Sequence, residues 1–88
     1  MEKYKIFFKK SVEKDLKSIP KKNLLKILKS IEKLKDNPRP GGIEKLTGQN
    51  RYRIRQSVYR IVYSIQDNEL TVWVIKIAHR KKIYKKLS

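Results

Sequence analysis

Every glycine of the chain (Gly41, Gly42 and Gly48) and two of its three prolines (Pro38 and Pro40) fall in one short stretch, and the hydrophobic pattern changes period across it. Residues 36–50 therefore read as an irregular loop, because proline lacks the backbone donor and glycine the side chain that regular structure uses. Before the loop, apolar residues recur at helical spacing. Leu24, Ile27, Leu28, Ile31 and Leu34 form a stripe from about Asn23 to Lys35, with Lys26, Lys29, Glu32 and Lys33 facing away. Val12, Leu16 and Ile19 form a shorter stripe that Ser11 is placed to cap, with Glu13 and Asp15 in the first turn, where carboxylates suit the helix dipole. Pro20 ends that helix and makes the two an antiparallel hairpin.

After the loop the period is two. Tyr52 to Gln56, Tyr59 to Gln66 and Leu70 to Ala78 are rich in β-branched and aromatic residues, and Asp67 with Asn68 fits a two-residue hairpin turn. Tyr4, Ile6 and Phe8 alternate in the same way at the N-terminus. The predicted fold is α+β: an N-terminal strand, a two-helix antiparallel hairpin, then a three-stranded antiparallel meander, with the helices on one face of the sheet. A short, very basic helix is expected over residues 81–88.

Eighty-eight residues suffice for one domain spanning 1–88, with a core small enough that a partner protein is expected to add stability. The chain has no cysteine, which excludes disulfides and cysteine-based metal sites. No apolar run approaches the roughly 20 residues of a membrane span, and the N-terminus lacks a secretory apolar core, so the expected address is the cytoplasm. A net charge of +16 points to a polyanionic partner.

Five of the six arginines (Arg51, Arg53, Arg55, Arg60 and Arg80) lie in the β half, whereas lysines are scattered throughout. Arginine offers a planar fork of donors suited to phosphate and to stacking on bases. Tyr52 and Ile54 alternate with Arg53 and Arg55, so the arginines are expected on the sheet face away from the helices, with Tyr52, Tyr59 and Tyr63 in the core. Arg60 is expected to meet them across the turn, and Lys76 and Arg80 to continue the same side. With no acid between Glu44 and Asp67 or after Glu69, that face is expected to be acid-free. Like charges crowded across strands destabilise a sheet, so an anion is expected there. His79 and Tyr84 flank Arg80 and bring an imidazole and a phenol to the edge of the basic face. His79 has a second reading as an edge histidine packed beside Trp73 and Ile77, and Tyr84 one as an anchor of the terminus. Cleavage of RNA by its own 2′-OH needs a base, an acid and positive charge on the phosphorane, which arginines with Tyr or His can supply without metal or cofactor.

Asn37, Pro38 and Arg39, Leu46 and Gly48, Tyr52 to Arg55 (YRIR), Tyr59 to Tyr63 (YRIVY) and His79 to Tyr84 (HRKKIY), in this order and spacing, make the chain resemble the small toxins of the RelE and ParE superfamily. Ser57 and Val58 occupy the turn where relatives commonly carry glycine. The resemblance implies a RelE-like toxin with a small antitoxin as partner, acting at the ribosome on mRNA as a metal-free endonuclease that leaves a 2′,3′-cyclic phosphate and a 5′-hydroxyl. It implies phosphate binding by Arg53, Arg55 and Arg60, transition-state stabilisation by Arg60 and Arg80, and stacking or proton transfer by Tyr84, with His79 as a further catalytic candidate. Arg51, Lys76, Lys81 and Lys82 are expected to add RNA contacts. The alternatives are the ParE branch, which blocks DNA gyrase without cutting, and a non-catalytic basic RNA-binding module.

Overall fold

The computed structural model describes residues 3–46 and 51–79. The chain runs β1 (Lys5–Phe8), α1 (Lys10–Lys17), α2 (Lys21–Lys33), β2 (Glu44–Lys45), β3 (Arg51–Gln56), β4 (Tyr59–Gln66), a 3-10 turn (Asp67–Glu69) and β5 (Thr71–His79). The strands form one sheet in the order β1-β5-β4-β3-β2, with β1 parallel to β5 and every other pair antiparallel. Among the described residues five strands replace the expected four, because Glu44–Lys45, within the Pro/Gly stretch, forms β2. The expected C-terminal helix lies outside the described residues.

Both helices cover one face. Val12, Ile19, Ile27, Ile31 and Leu34 pack on Tyr52, Ile61, Tyr63, Ile65, Val72, Val74 and Ile77, and each side chain fully buried there contributes roughly 1.5–3 kcal/mol relative to exposure. The α2 stripe is narrower than the sequence implies. Ile27, Ile31 and Leu34 are buried, but Leu28 is exposed, as is its neighbour Leu25.

Local details depart from the sequence reading for identifiable reasons. The amide of Lys9 donates to Val74 O at 3.1 Å, so β1 pairing runs directly into α1; the helix starts at Lys10 and Ser11 lies inside it rather than capping it. Asp67 and Asn68 do not make a two-residue turn. Residues Asp67 to Leu70 connect β4 to β5, with Leu70 in the left-handed region at φ 49°. That geometry leaves the Asp67 carboxylate to accept from both terminal guanidinium nitrogens of Arg39, at 3.1 and 2.8 Å, and from the Tyr4 hydroxyl at 2.8 Å. Arg39 also donates to the Tyr52 hydroxyl at 3.3 Å. Tyr63 stacks on Tyr52 and donates to Pro38 O at 2.8 Å, and its burial pushes the phenol up to about 12. The loop after α2 is thereby tied to the sheet.

The β3–β4 connection is a two-residue turn, with Gln56 paired to Tyr59. Ser57 takes the positive φ, 59°, and Val58 does not, which suits a β-branched residue at the second position. In β5 the partner register shifts between Val62 and Tyr63, leaving Ile75 as an extra residue. Trp73 before the bulge and Ile75 at it lie on the helix-free face, whereas Ile77 after it is in the main core.

Hydrogen bonds from Arg39, then Tyr4, hold the Asp67 carboxyl below its ordinary value of 3.8. A carboxylate with a depressed folded value stabilises the protein above its unfolded value, and that contribution disappears as pH falls through the folded value. Thermal melts followed by circular dichroism should therefore show a falling Tm between about pH 5 and about pH 2. In Asp67→Asn the decline should be shallower, from a lower starting Tm.

Candidate nucleic-acid interface

Alternation along β3 and β4 builds the face that, among the described residues, no helix covers, the helix-free face. Tyr52, Tyr59, Ile61, Tyr63 and Ile65 belong to the helix-side core, so Arg51, Arg53, Arg55, Arg60, Val62 and Ser64 point the other way. The register then sets Arg55 opposite Arg60, Arg53 opposite Val62, and Arg51 opposite Ser64. Val62, Ala78, Leu46 and Ile75 form a small apolar cluster on this face, with Ala78 directly opposite Arg60 on β5.

The face is not acid-free. Glu44 on β2 is the register partner of Arg53, bonds its guanidinium, and lies 3.6 Å from that of Arg55. The Arg53 hydrogen bond and charge, followed by the fields of Arg55 and Arg60, hold the Glu44 carboxyl below its ordinary range. The sequence reading missed this because it assigned Glu44 to irregular loop. The available signal was Ile43 to Leu46 set just ahead of Gly48 and YRIR, a segment able to form one arm of a hairpin.

Arg60 differs from its neighbours. It is only 4% exposed, and among the described residues its guanidinium donates to the adjacent Tyr59 carbonyl at 3.3 Å while its buried Nε has no partner. None of the described carboxylates forms an ion pair with it. A desolvated guanidinium in this state carries an unmet demand for an anion, and the apolar cluster beside it limits screening by water. Arg55, by contrast, is well exposed.

Two sequence candidates turn out to be engaged elsewhere. Lys76 does not extend the basic face: its Nζ bonds Asp15 of α1 at 2.9 Å, and the same carboxylate accepts from the Ile77 amide at 3.3 Å. β1 pairing stops at Val74, so Asp15 satisfies the β5 edge beyond it and draws Lys76 around that edge. His79 pairs with Tyr59 and meets its ring edge-on, at 5.9 Å between centroids. Both line a cavity of about 360 Å³ with Asp15, Ser18 and Ile19 of the α1 end. His79 thus lies on the side of the sheet opposite Arg60, beside Ile77 but separated from Trp73 by the bulge. Arg80, Lys81, Lys82 and Tyr84 lie outside the described residues.

Residues 6–84 match the family model for the ParE toxin of type II toxin–antitoxin systems. The chain belongs to the ParE/RelE toxin family. Among individual relatives of this family, the candidate toxin RelE1 of Methanocaldococcus jannaschii is 36% identical over 87 residues, covering 94% of this chain and 97% of the relative. RelE in a RelB–RelE complex from Methanococcus jannaschii is 30% identical, with a TM-score of 0.77 over 93% of this chain and 99% of that one. RelE from the Pyrococcus horikoshii OT3 RelE–RelB complex is 27% identical, with a TM-score of 0.77 over 89% and 96%. The isolated Escherichia coli RelE toxin shares the fold at 22% identity, again with a TM-score of 0.77. The chain is a RelE-type toxin of a toxin–antitoxin system.

Glu44 competes with an incoming phosphate for Arg53 and Arg55. Glu44→Gln should tighten binding to single-stranded RNA and steepen the plot of log K against log salt, by about 0.7 for each phosphate contact that a released arginine adds. Fluorescence anisotropy across a salt series measures both.

Proposed function

We propose that this toxin is a ribosome-dependent mRNA endonuclease. The observation that supports it is the buried Arg60 guanidinium, its Nε without a partner among the described residues, with Arg55 opposite it on the same sheet face. In the reaction the substrate's 2′-oxygen attacks the adjacent phosphorus and the bond to the 5′-oxygen breaks. The 2′-hydroxyl loses its proton, the 5′-oxygen gains one, and the products are a 2′,3′-cyclic phosphate and a 5′-hydroxyl. Extra negative charge builds on the phosphorane oxygens midway, and a fixed cation held in a poorly solvated site stabilises it without reorganising.

In this reading Arg60 and Arg80 stabilise the phosphorane, Arg51, Arg53 and Arg55 position flanking phosphates, and Lys81 and Lys82 add backbone contacts. Proton transfer falls to Tyr84. His79, across the sheet from Arg60, instead braces the end of β5 against Tyr59. A small acidic, RelB-like antitoxin neutralises the toxin; RelE relatives occur in complexes with RelB, and a net charge of +16 favours an acidic cover.

The deciding experiment is induced expression with primer extension on a translated message, followed by single-turnover cleavage on programmed ribosomes. Arg60→Ala and Arg80→Ala should each slow cleavage by on the order of a hundredfold, about 2.7 kcal/mol, with ribosome binding little changed. Arg80→Lys should recover part of the loss, since an ammonium keeps the charge without the planar fork. Because the matching family model is that of the ParE toxin, gyrase is the second target to assay. Inhibited supercoiling with messages left intact would replace the nuclease reading, and RNA affinity without cleavage would reduce the protein to a binding module.

A further inference from the structure

The helix-free face carries a second row of side chains, one that the arginine site does not use. Phe7 on β1 is the register partner of Trp73 on β5, Trp73 of Ser64 on β4, and Ser64 of Arg51 on β3. These four residues form one transverse line across four strands, about 14 Å long at the usual strand spacing. The Phe7 and Trp73 rings stack at 5.1 Å with 29° between their planes, and Phe7 remains 43% exposed. Lys3 and Lys5 line a shallow groove of about 470 Å³ with the aromatic pair, and Glu69 lines it too. The row is aromatic at one end, hydroxylic in the middle and cationic at the other. Four residues along β4 separate Ser64 from Arg60, so the row lies about 13 Å from the buried guanidinium on the same face.

A solvent-facing aromatic pair has no packing reason to be flanked by lysines and aligned with an arginine. An extended polyanion with flat apolar units accounts for all three features together. We propose that Phe7 and Trp73 form a stacking platform for a nucleobase of single-stranded RNA, outside the cleaved bond, with Lys3 and Lys5 beside its backbone and Arg51 taking a further phosphate along the row. The two rows together make a strip long enough for segments of about four nucleotides, the lower end of the site sizes of single-strand-binding folds. This subsite rests on the RNA reading of the arginine face and extends it to the opposite end of the sheet.

Trp73 is the chain's only tryptophan, so its fluorescence reports the platform directly. The full-length toxin is titrated with a short single-stranded oligoribonucleotide, an abasic strand of equal length, and inorganic polyphosphate, with binding followed separately by anisotropy or competition. The oligoribonucleotide should quench Trp73 as it binds, and the abasic strand and polyphosphate should bind without quenching. Phe7→Ala should weaken the oligoribonucleotide by at least about fivefold and leave polyphosphate unchanged. Circular dichroism confirms the variant's fold, and Trp73→Phe, which keeps an aromatic face, should retain most of the affinity. Equal affinity for base-bearing and abasic strands, or binding without quenching, would overturn the platform while leaving the arginine site standing. Failure of any RNA to bind would overturn both. Quenching by an acidic antitoxin but not by RNA would reassign the pair to protein docking.

Discussion

The structure depends on α1 and α2, the helices among the described residues, covering one and the same side of the sheet. Tyr52, Ile61, Tyr63 and Ile65 are buried beneath α1 and α2, and the strict alternation of β3 and β4 then forces their neighbours onto the bare side. Arg51, Arg53, Arg55 and Arg60 share a face because the residues between them are needed in the core. A register slip of one residue would bury the arginines and expose the tyrosines. Hydrophobic burial is therefore the force that assembles the like charges, against their mutual repulsion.

Repulsion is handled differently at each arginine. Arg53 is balanced by Glu44, Arg55 shares that carboxylate at longer range and keeps its exposure, and Arg39 stands apart from the group, locked to Asp67 and Tyr52. Arg60 receives little compensation although it is the most enclosed. Burial of a cation opposes folding unless other interactions offset it, and here the surrounding β4 core does so. The site thus holds one cation ready for an anion and keeps two others in partial balance with a displaceable carboxylate.

Much of this was legible in the sequence, and the rest failed for local reasons. The Ile27, Ile31 and Leu34 stripe, the β4 limits and the core placement of Tyr52 and Tyr63 follow from periodicity, which long amphipathic elements express clearly. β2 was hidden because two strand residues beside a glycine-rich stretch generate no period. The β5 bulge was hidden too, since an unbroken alternation from Trp73 to His79 reads as one face until Ile75 is displaced. Lys76 pairs opposite Val62 as alternation implied, but its long side chain has reached an acid on α1, whereas His79, expected at the edge of the basic face from its place beside Arg80 in sequence, meets a tyrosine ring on the other side. The Asp67 turn misled because its carboxylate answers to Arg39 and Tyr4, contacts that span the chain.

The parallel pairing of β1 with β5 has a consequence for how the protein comes into being. Residues 5–8 find their partners at 71–74, so β1 can join the sheet only once the far more distal β5 is available. Non-local closure of this kind is the slow part of folding. During synthesis β1 has no partner until β5 has left the ribosome, and α1, which packs on β5, waits with it. The fold thereby delays its own completion, and with it the assembly of the helix-free face, until β5 has emerged.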